Sequence, residues 1–215
     1  MNSPVIIAID GPSASGKSTN ARLIAKALGY AYVDTGAMFR AFAWDCLRRG
    51  VEVQDAAAVA AALRGWNATF ECVAGQVRLL VDGYFPEKEI RTAEVSAAVS
   101  PIAAVPEVRA WMKASQRACV KFGNLVMEGR DIGTAIFPET PLKFYLDASA
   151  EVRQARRAAD GVQDNLAARD QRDSTRAAAP LQMAPDAILI NNAGETPQET
   201  SDRVLVAIRR ILAQG

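Results

Sequence analysis

The chain opens on a continuous apolar, largely β-branched run, Val5–Ile9, the pattern of a strand buried on both faces of a parallel sheet. Residues 10–17 form a loop rich in Gly, Ser and Pro. Apolar residues return at helical spacing between Ser18 and Leu28, at Leu23, Ile24, Ala27 and Leu28, and Gly29 follows as a C-cap. Tyr30–Val33 predicts a short strand, residues 34–36 a turn, and Ala37–Arg49 a helix closed by Gly50. The first part therefore reads βαβα, the alternation of an α/β fold.

The middle departs from that alternation. Asp55 is placed to cap an Ala-rich helix ending at Leu63, and Ala68–Cys72 and Val77–Val81 predict two strands joined by a turn around Gly75. This reads as a small α+β insertion. Residues 83–88 are turn-like, Thr92–Ser100 is weakly helical, and Pro106 opens a helix to about Val120. The α/β pattern then resumes. Leu125–Met127 and Leu142–Leu146 predict strands. Ser149 caps a helix with Glu151 in its first turn, Asp160 and Gly161 break it, and Asn165 caps another. Asp186–Ile190 predicts a last strand, and Thr196–Glu199 is a capping box opening a final helix.

Composition narrows the class. With 215 residues, half of them apolar, the chain suits one core with a modest insertion. Lys plus Arg number 25 against 24 Asp plus Glu, a net charge of +1, which argues against a nucleic-acid coat or a membrane-surface protein. No apolar run approaches the ~18 residues of a membrane span, and the N-terminus lacks a basic region. The expectation is a soluble, untargeted, cytoplasmic protein. The chain has no histidine, which excludes His-based triads, general bases and metal ligands. Its three cysteines, Cys46, Cys72 and Cys119, are far apart and form no CxxC, so neither a zinc site nor a disulfide framework is expected.

One loop carries strong chemistry. Gly11, Pro12, Ser13, Ala14, Ser15, Gly16, Lys17 and Ser18 match GxxxxGK(S/T) between a strand and a helix. Such a loop turns successive N–H groups toward phosphate oxygens, and the following helix adds its positive end. Lys17, expected at an exposed loop–helix junction, reaches the β- and γ-phosphates, and the Ser18 hydroxyl ligates Mg²⁺. The DxxG and NKxD strings of GTPase switches are absent. Arginine instead dominates: Arg40 and Arg130 follow predicted strands, and Arg153, Arg156, Arg157, Arg169, Arg172 and Arg176 lie between Glu151 and Pro180 with no lysine among them. Guanidinium forks bind phosphate bidentately, so the set suggests clamping of phosphates.

On Gly11–Thr19, residues 34–40, Glu89–Thr92, Ser100, Val108–Arg109, Glu128–Pro138 and Arg169–Arg176 with Ala179–Pro180, the chain resembles the bacterial cytidylate kinases. The resemblance runs in order from Val5 to the last helix. It implies a P-loop nucleoside monophosphate kinase fold, a parallel sheet flanked by helices with a small α+β insertion and a short lid. Residues 1–50 and 92–215 would form the core, with the lid at about 153–166, and 51–91 the inserted monophosphate-binding subdomain. The implied reaction is transfer from ATP to CMP or dCMP, in pyrimidine nucleotide metabolism, by a monomer using Mg²⁺ and no nucleic-acid or membrane partner. By the resemblance, Gly11–Thr19 would bind ATP. Thr35, Arg40, Arg130 and Arg176 would hold the acceptor phosphate, Ser100, Arg109 and Asp131 would read cytosine, and Arg169 and Asp173 would bind ribose. Lys17, Arg130, Arg153, Arg157 and Arg176 would carry catalysis.

A nucleotide phosphate with a second pKa of ~6 needs little help from a base, so catalysis is expected to be alignment plus charge stabilisation. Two alternatives stay open at this point, a P-loop kinase for another acceptor such as UMP or shikimate, and an RNA-binding P-loop protein. Between Ala148 and Arg169 the chain is shorter than is usual in the family by about three helical turns, which predicts a truncated but working lid.

Overall fold

The computed structural model describes residues 3–159, 166–176 and 178–214, with only the main chain of Arg169. Along the chain run β1 (Ile6–Asp10), α1 (Lys17–Leu28), β2 (Ala31–Asp34), α2 (Thr35–Arg48), α3 (Ala56–Arg64), β3 (Ala68–Val73), β4 (Gln76–Val81), α4 (Ala93–Ile102) and α5 (Pro106–Ala118). They are followed by β5 (Leu125–Gly129), β6 (Leu142–Asp147), α6 (Ala150–Ala159), α7 (Leu166–Thr175), β7 (Ile188–Asn191) and α8 (Pro197–Leu212). The strands form a seven-stranded sheet in the order β3-β4-β2-β5-β1-β6-β7. Every pairing is parallel except the hairpin β3–β4.

The fully buried β1, β2 and β5 account for the continuous apolar runs. One face of the sheet packs Phe42, Val59, Ile102, Val108 and Met112 from α2–α5, and the other packs Ile24, Val204 and Ile208 from α1 and α8. Two expectations shift. Residues 34–36 are not a separate turn: Asp34 ends β2 and also caps α2, its Oδ1 accepting from the Ala37 N–H at 2.8 Å, so the helix starts at Thr35. The last strand begins at Ile188 and runs to Asn191, two residues later than Asp186 at its start. The Asp160–Gly161 break and the Asn165 cap lie outside the described residues.

Segment 51–91 has the expected helix and hairpin, and it is built onto the main sheet, β4 pairing parallel to β2 through Tyr32↔Gln76 and Val33↔Val77. A chain of aromatic contacts ties it down. The Phe42 ring lies 4.7 Å from Trp66, and Trp66 lies 4.5 Å from Trp111 on α5. Register matters most at one end of the sheet. Asp34 is level with Glu128, and Asp10 with Gly129. The C-terminal ends of β1, β2 and β5 thus meet on either side of the central strand, the place where open α/β sheets bind ligands.

The packing of Phe42 yields a direct test. Phe42→Ala removes a fully buried ring packed against Trp66 and is expected to lower unfolding free energy by about 3–5 kcal/mol. The readout is the urea midpoint at unchanged slope. A loss below about 1 kcal/mol would mean that the aromatic chain does not hold α2 in place.

Candidate active site

The loop after β1 is shaped by backbone sterics. A Cβ on Gly11 would lie 2.1 Å from the Leu146 carbonyl oxygen, and Gly16 sits at φ 87° as the residue preceding α1. Both positions therefore require glycine. Ala14 also has positive φ, at 59°. Four of the loop carbonyls are held by side-chain donors, one from the loop itself and three from elsewhere. Pro12 O accepts from Lys17 Nζ at 2.6 Å, Ser13 O from Arg153 Nη1 at 3.2 Å, Ser15 O from Asn192 Nδ2 at 2.9 Å, and Gly16 O from Asn20 Nδ2 at 2.8 Å. Carbonyls occupied in this way leave the N–H side of the loop to form an anion-binding concavity, where the Ser13 N–H donates to the Asp170 carboxylate at 3.1 Å.

Lys17 corrects an expectation. It is not exposed but 5% accessible, folded back over the loop so that its ammonium also lies 3.4 Å from Ser15 Oγ. It sits among buried carboxylates. Burial pushes the Asp10 carboxyl up to about 6, the charge of Asp131 adding, while the N–H groups of Gly133 and Ile132 and the Lys17 ammonium pull the other way. Those two N–H groups belong to a single π-helical turn, Ile132–Ile136, that the sequence pattern did not indicate. Glu128 is also raised by burial and by the charge of Asp34, against Lys17 and hydrogen bonds from Ser18 and Tyr32. The Tyr32 hydroxyl donates to Glu128 Oε1 at 2.7 Å. Asp34 goes the other way: despite burial, Arg40 and Arg91 together with the Ala37 N–H hold it below the usual carboxylate range.

Facing the loop is a ring of arginines. Arg40 lies 3.6 Å from Asp34 Oδ1, and Arg91 donates to Asp34 Oδ2 at 3.1 Å. Arg109 pairs with Asp131 and lies over the Phe39 ring at 5.7 Å. Arg130 Nε donates to Asp173 Oδ2 at 2.9 Å. Arg176 donates from Nε to Ala179 O at 2.7 Å and stands 3.8 Å from Asp173 and 3.9 Å from Asp131. Three buried donors of this ring, Arg40 Nε, Arg109 Nη1 and Arg176 Nη2, have no hydrogen-bond partner among the described residues, as is also true of Trp66 Nε1, Arg78 Nε and Thr134 Oγ1 away from the ring. Such donors are costly unless a ligand satisfies them.

Loop and ring line a single cavity of about 480 Å³. It brings together Ser13, Ala14, Gly16, Lys17, Ser18 and Thr19 with Thr35, Arg40, Ser100, Arg109, Arg130, Asp131, Arg157, Asp173 and Arg176. Gly11, Pro12 and Ser15 of the loop do not line it. Arg153 does not line the cavity. It pairs with Asp170 of α7 and donates to Ala148 O at 3.1 Å as well as to Ser13 O. The cavity also takes in Asp34, Phe39, Arg91, Glu128, Arg156 and Asn192. Asp34 and Glu128 carried a usable signal, as acids at the ends of parallel strands. Arg91 lay in the Glu89–Thr92 stretch that carried the resemblance, with no role assigned to it, and Asn192 carried no signal. No cluster of three or more Cys, Asp or Glu side chains suited to a metal occurs among the described residues, and no helix among them is long and apolar enough to cross a membrane.

Comparison with known proteins agrees with this geometry. Residues 7–210 match the cytidylate kinase family. The chain is 40% identical over 222 residues to a cytidylate kinase of Geobacter sp. strain M21, covering 98% of this chain and 95% of that protein. It is 41% identical over 217 residues to a bifunctional pantoate ligase/cytidylate kinase of Synechococcus sp. strain RCC307, covering 95% of this chain and 42% of that longer protein. In fold it is similar to an uncharacterized protein from Eubacterium ventriosum, at a TM-score of 0.51 and 12% identity over 95% of this chain and 98% of that one.

The Asp10 environment predicts a pH effect. In the folded chain Asp10 holds its proton up to about 6, against 3.8 ordinarily. The native state therefore binds the extra proton between those values, and stability falls as pH rises through that window. In Asp10→Asn the site cannot ionise. The stability of the wild type relative to this variant is expected to drop by up to about 3 kcal/mol between pH 4 and 6.5. Paired denaturation curves measure it, and a difference that stays flat or rises contradicts the assignment.

Proposed function

Since the chain belongs to the cytidylate kinase family, we propose that it transfers the γ-phosphoryl group of ATP to CMP or dCMP, giving ADP and CDP or dCDP. The observation that carries this reading is the set of buried guanidinium donors with no hydrogen-bond partner among the described residues, Arg40 Nε, Arg109 Nη1 and Arg176 Nη2, on arginines lining the cavity that the phosphate loop also lines. A nucleoside monophosphate supplies what they lack: phosphate oxygens for Arg40 and Arg176, and pyrimidine acceptors for Arg109. No feature of the site favours shikimate or RNA.

The roles divide along the cavity. Gly11–Thr19 cradle the ATP phosphates, with Lys17 turning from Pro12 O toward the β- and γ-phosphates. Thr35, Arg40, Arg130 and Arg176 grip the acceptor phosphate. Ser100, Arg109 and Asp131 read cytosine, which offers an N4 donor beside acceptors at N3 and O2. Arg169 and Asp173 take the ribose. Arg157, on the cavity wall, serves the transferring group, and Arg153 acts by holding α6 and α7 to the loop. The acceptor phosphate is largely dianionic at neutral pH, so it attacks without a strong base. The arginines offset repulsion between the two anions and align them for in-line transfer. Water is the competing acceptor, which gives the lid around 153–166 its purpose. Segment 51–91, which brings Arg91 to the cavity, is the acceptor-binding subdomain, and 1–50 with 92–215 the core.

Mg²⁺ fits the donor set here. Ser18 and Glu128, joined by a hydrogen bond beside Lys17, offer the hard oxygens Mg²⁺ prefers, beside the loop that would hold the phosphates. When bound, Mg²⁺ neutralises charge on the β- and γ-phosphate oxygens. The enzyme is read as a cytoplasmic monomer whose partners are two small nucleotides.

Steady-state rates across a nucleotide panel test the acceptor. UMP reverses the donor and acceptor that CMP presents at positions 3 and 4, mismatching Arg109 and Asp131, so CMP is expected to exceed UMP in kcat/KM by at least about tenfold. Asp131→Asn is expected to narrow that gap. Equal use of the two by the wild type contradicts this pocket. Lys17→Ala is expected to abolish transfer, and near-native turnover in the folded variant would refute the donor site.

A further inference from the structure

Asn192, the residue after β7, is 2% exposed and sits where three parts of the molecule meet. Its main-chain N–H donates to Asp147 O at 3.0 Å, which seats it at the end of β6. Its Nδ2 donates to Ser15 O at 2.9 Å. Its Oδ1 and its main-chain carbonyl accept from Arg156 Nη1 and Nη2, both at 3.1 Å. The partners fix the orientation of the amide, because the flipped form would set oxygen against the Ser15 carbonyl and N–H against Arg156. Arg156 is thereby held beside the loop. Its Nη1 lies 3.6 Å from where a Cβ on Gly16 would stand, and Arg156 and Asn192 both line the cavity.

We propose that Asn192 is a positioning residue for the donor nucleotide, joining the phosphate loop and Arg156 of α6 into one preformed unit. This rests on the phosphoryl-transfer reading above. One short side chain does two jobs. The donor end holds the Ser15 carbonyl outward, so the loop N–H groups stay aimed at phosphate. The acceptor end, with the adjacent carbonyl, docks the guanidinium fork in a fixed plane. Of the five N–H donors on Arg156, two go to Asn192, and three remain for the oxygens of a triphosphate lying over Gly16. Arg156 is thus anchored to the core before a nucleotide enters, so its contribution to ATP binding needs no movement of α6. Only asparagine suits. Aspartate keeps the acceptor for Arg156 but sets an anionic oxygen against Ser15 O and against the incoming phosphates, and alanine loses both ends.

The test uses the full-length enzyme and two readouts, transfer kinetics and equilibrium binding of the non-hydrolysable analogue AMP-PNP by calorimetry. Asn192→Asp and Arg156→Ala are each expected to raise KM for ATP and Kd for AMP-PNP by about tenfold, the loss of charge-assisted hydrogen bonds, with KM for CMP changed less than about twofold. Arg156→Lys keeps the charge but not the fork, and is expected to recover less than half of the lost affinity on a logarithmic scale. In a cycle of Asn192→Ala, Arg156→Ala and the double variant, the losses are expected to fall short of multiplying by about fivefold or more. Should Asn192→Ala fail to fold, Asn192→Asp closes the same cycle. Unchanged AMP-PNP affinity in Arg156→Ala, equal losses for ATP and CMP in Asn192→Asp, or fully multiplicative losses overturn the proposal. If the wild type made no CDP, the previous reading would fall, while the AMP-PNP arm would still judge Asn192.

Discussion

The site depends on one constraint, that a loop cannot present its N–H groups to phosphate unless its carbonyls are held elsewhere. In this chain each of the four carbonyls from Pro12 to Gly16, Ala14 aside, has its own side-chain donor. Those donors come from the loop itself, from α1, from α6 and from the turn after β7. The loop is therefore a junction of elements that lie far apart in sequence. Backbone positions that would otherwise resist this shape are relieved by Gly11 and Gly16, while Ala14 accepts a left-handed conformation that costs of order 1 kcal/mol.

Charge balance is the second organising feature. Three carboxylates, Asp10, Asp34 and Glu128, are buried at the ends of neighbouring parallel strands, Glu128 in the field of Asp34 and Asp10 in that of Asp131. Burial alone would protonate them. Asp34 is kept ionised by Arg40 and Arg91, whereas at Asp10 two main-chain N–H groups only limit the rise that burial causes, and the Lys17 ammonium draws both Asp10 and Glu128 downward. The arginines across the cavity have the complementary shortage. Arg109, Arg130 and Arg176 share Asp131 and Asp173, and two buried groups, Arg109 Nη1 and Arg176 Nη2, have no hydrogen-bond acceptor among the described residues. An entering anion supplies charge and acceptors where both are in deficit, so recognition of the substrate and relief of desolvation are one event.

Much of this was legible in the sequence, and what was not has a physical reason. The phosphate loop, the βαβα opening and the capping box before α8 are local patterns, and local patterns fold where they are read. The arginines were legible as a set but not in their individual partners. Arg153 and Arg156 are three residues apart on one helix, yet Arg156 reaches the cavity while Arg153 turns to Asp170, a division set by the β7 turn and by α7 rather than by α6 itself. Lys17 was misplaced at the surface because its motif specifies its reach toward phosphate, not the Pro12 carbonyl it folds onto. Asn192 gave no signal, since asparagine after a strand is ordinarily a turn residue. The π-helical turn at Ile132–Ile136 could not be read, because the Asp10 carboxylate that holds it lies more than a hundred residues upstream.

The central claim is that the loop and the arginine ring are two halves of one site, facing each other closely enough for direct transfer. The measurement that tests it most directly is a single-turnover reaction of the enzyme with ATP labelled in its γ-phosphate, in the presence of excess CMP, followed by separation of the products. The account predicts that the label passes into the β-position of CDP, with inorganic phosphate a minor product. Label recovered mainly as inorganic phosphate, or left in ATP, would contradict it.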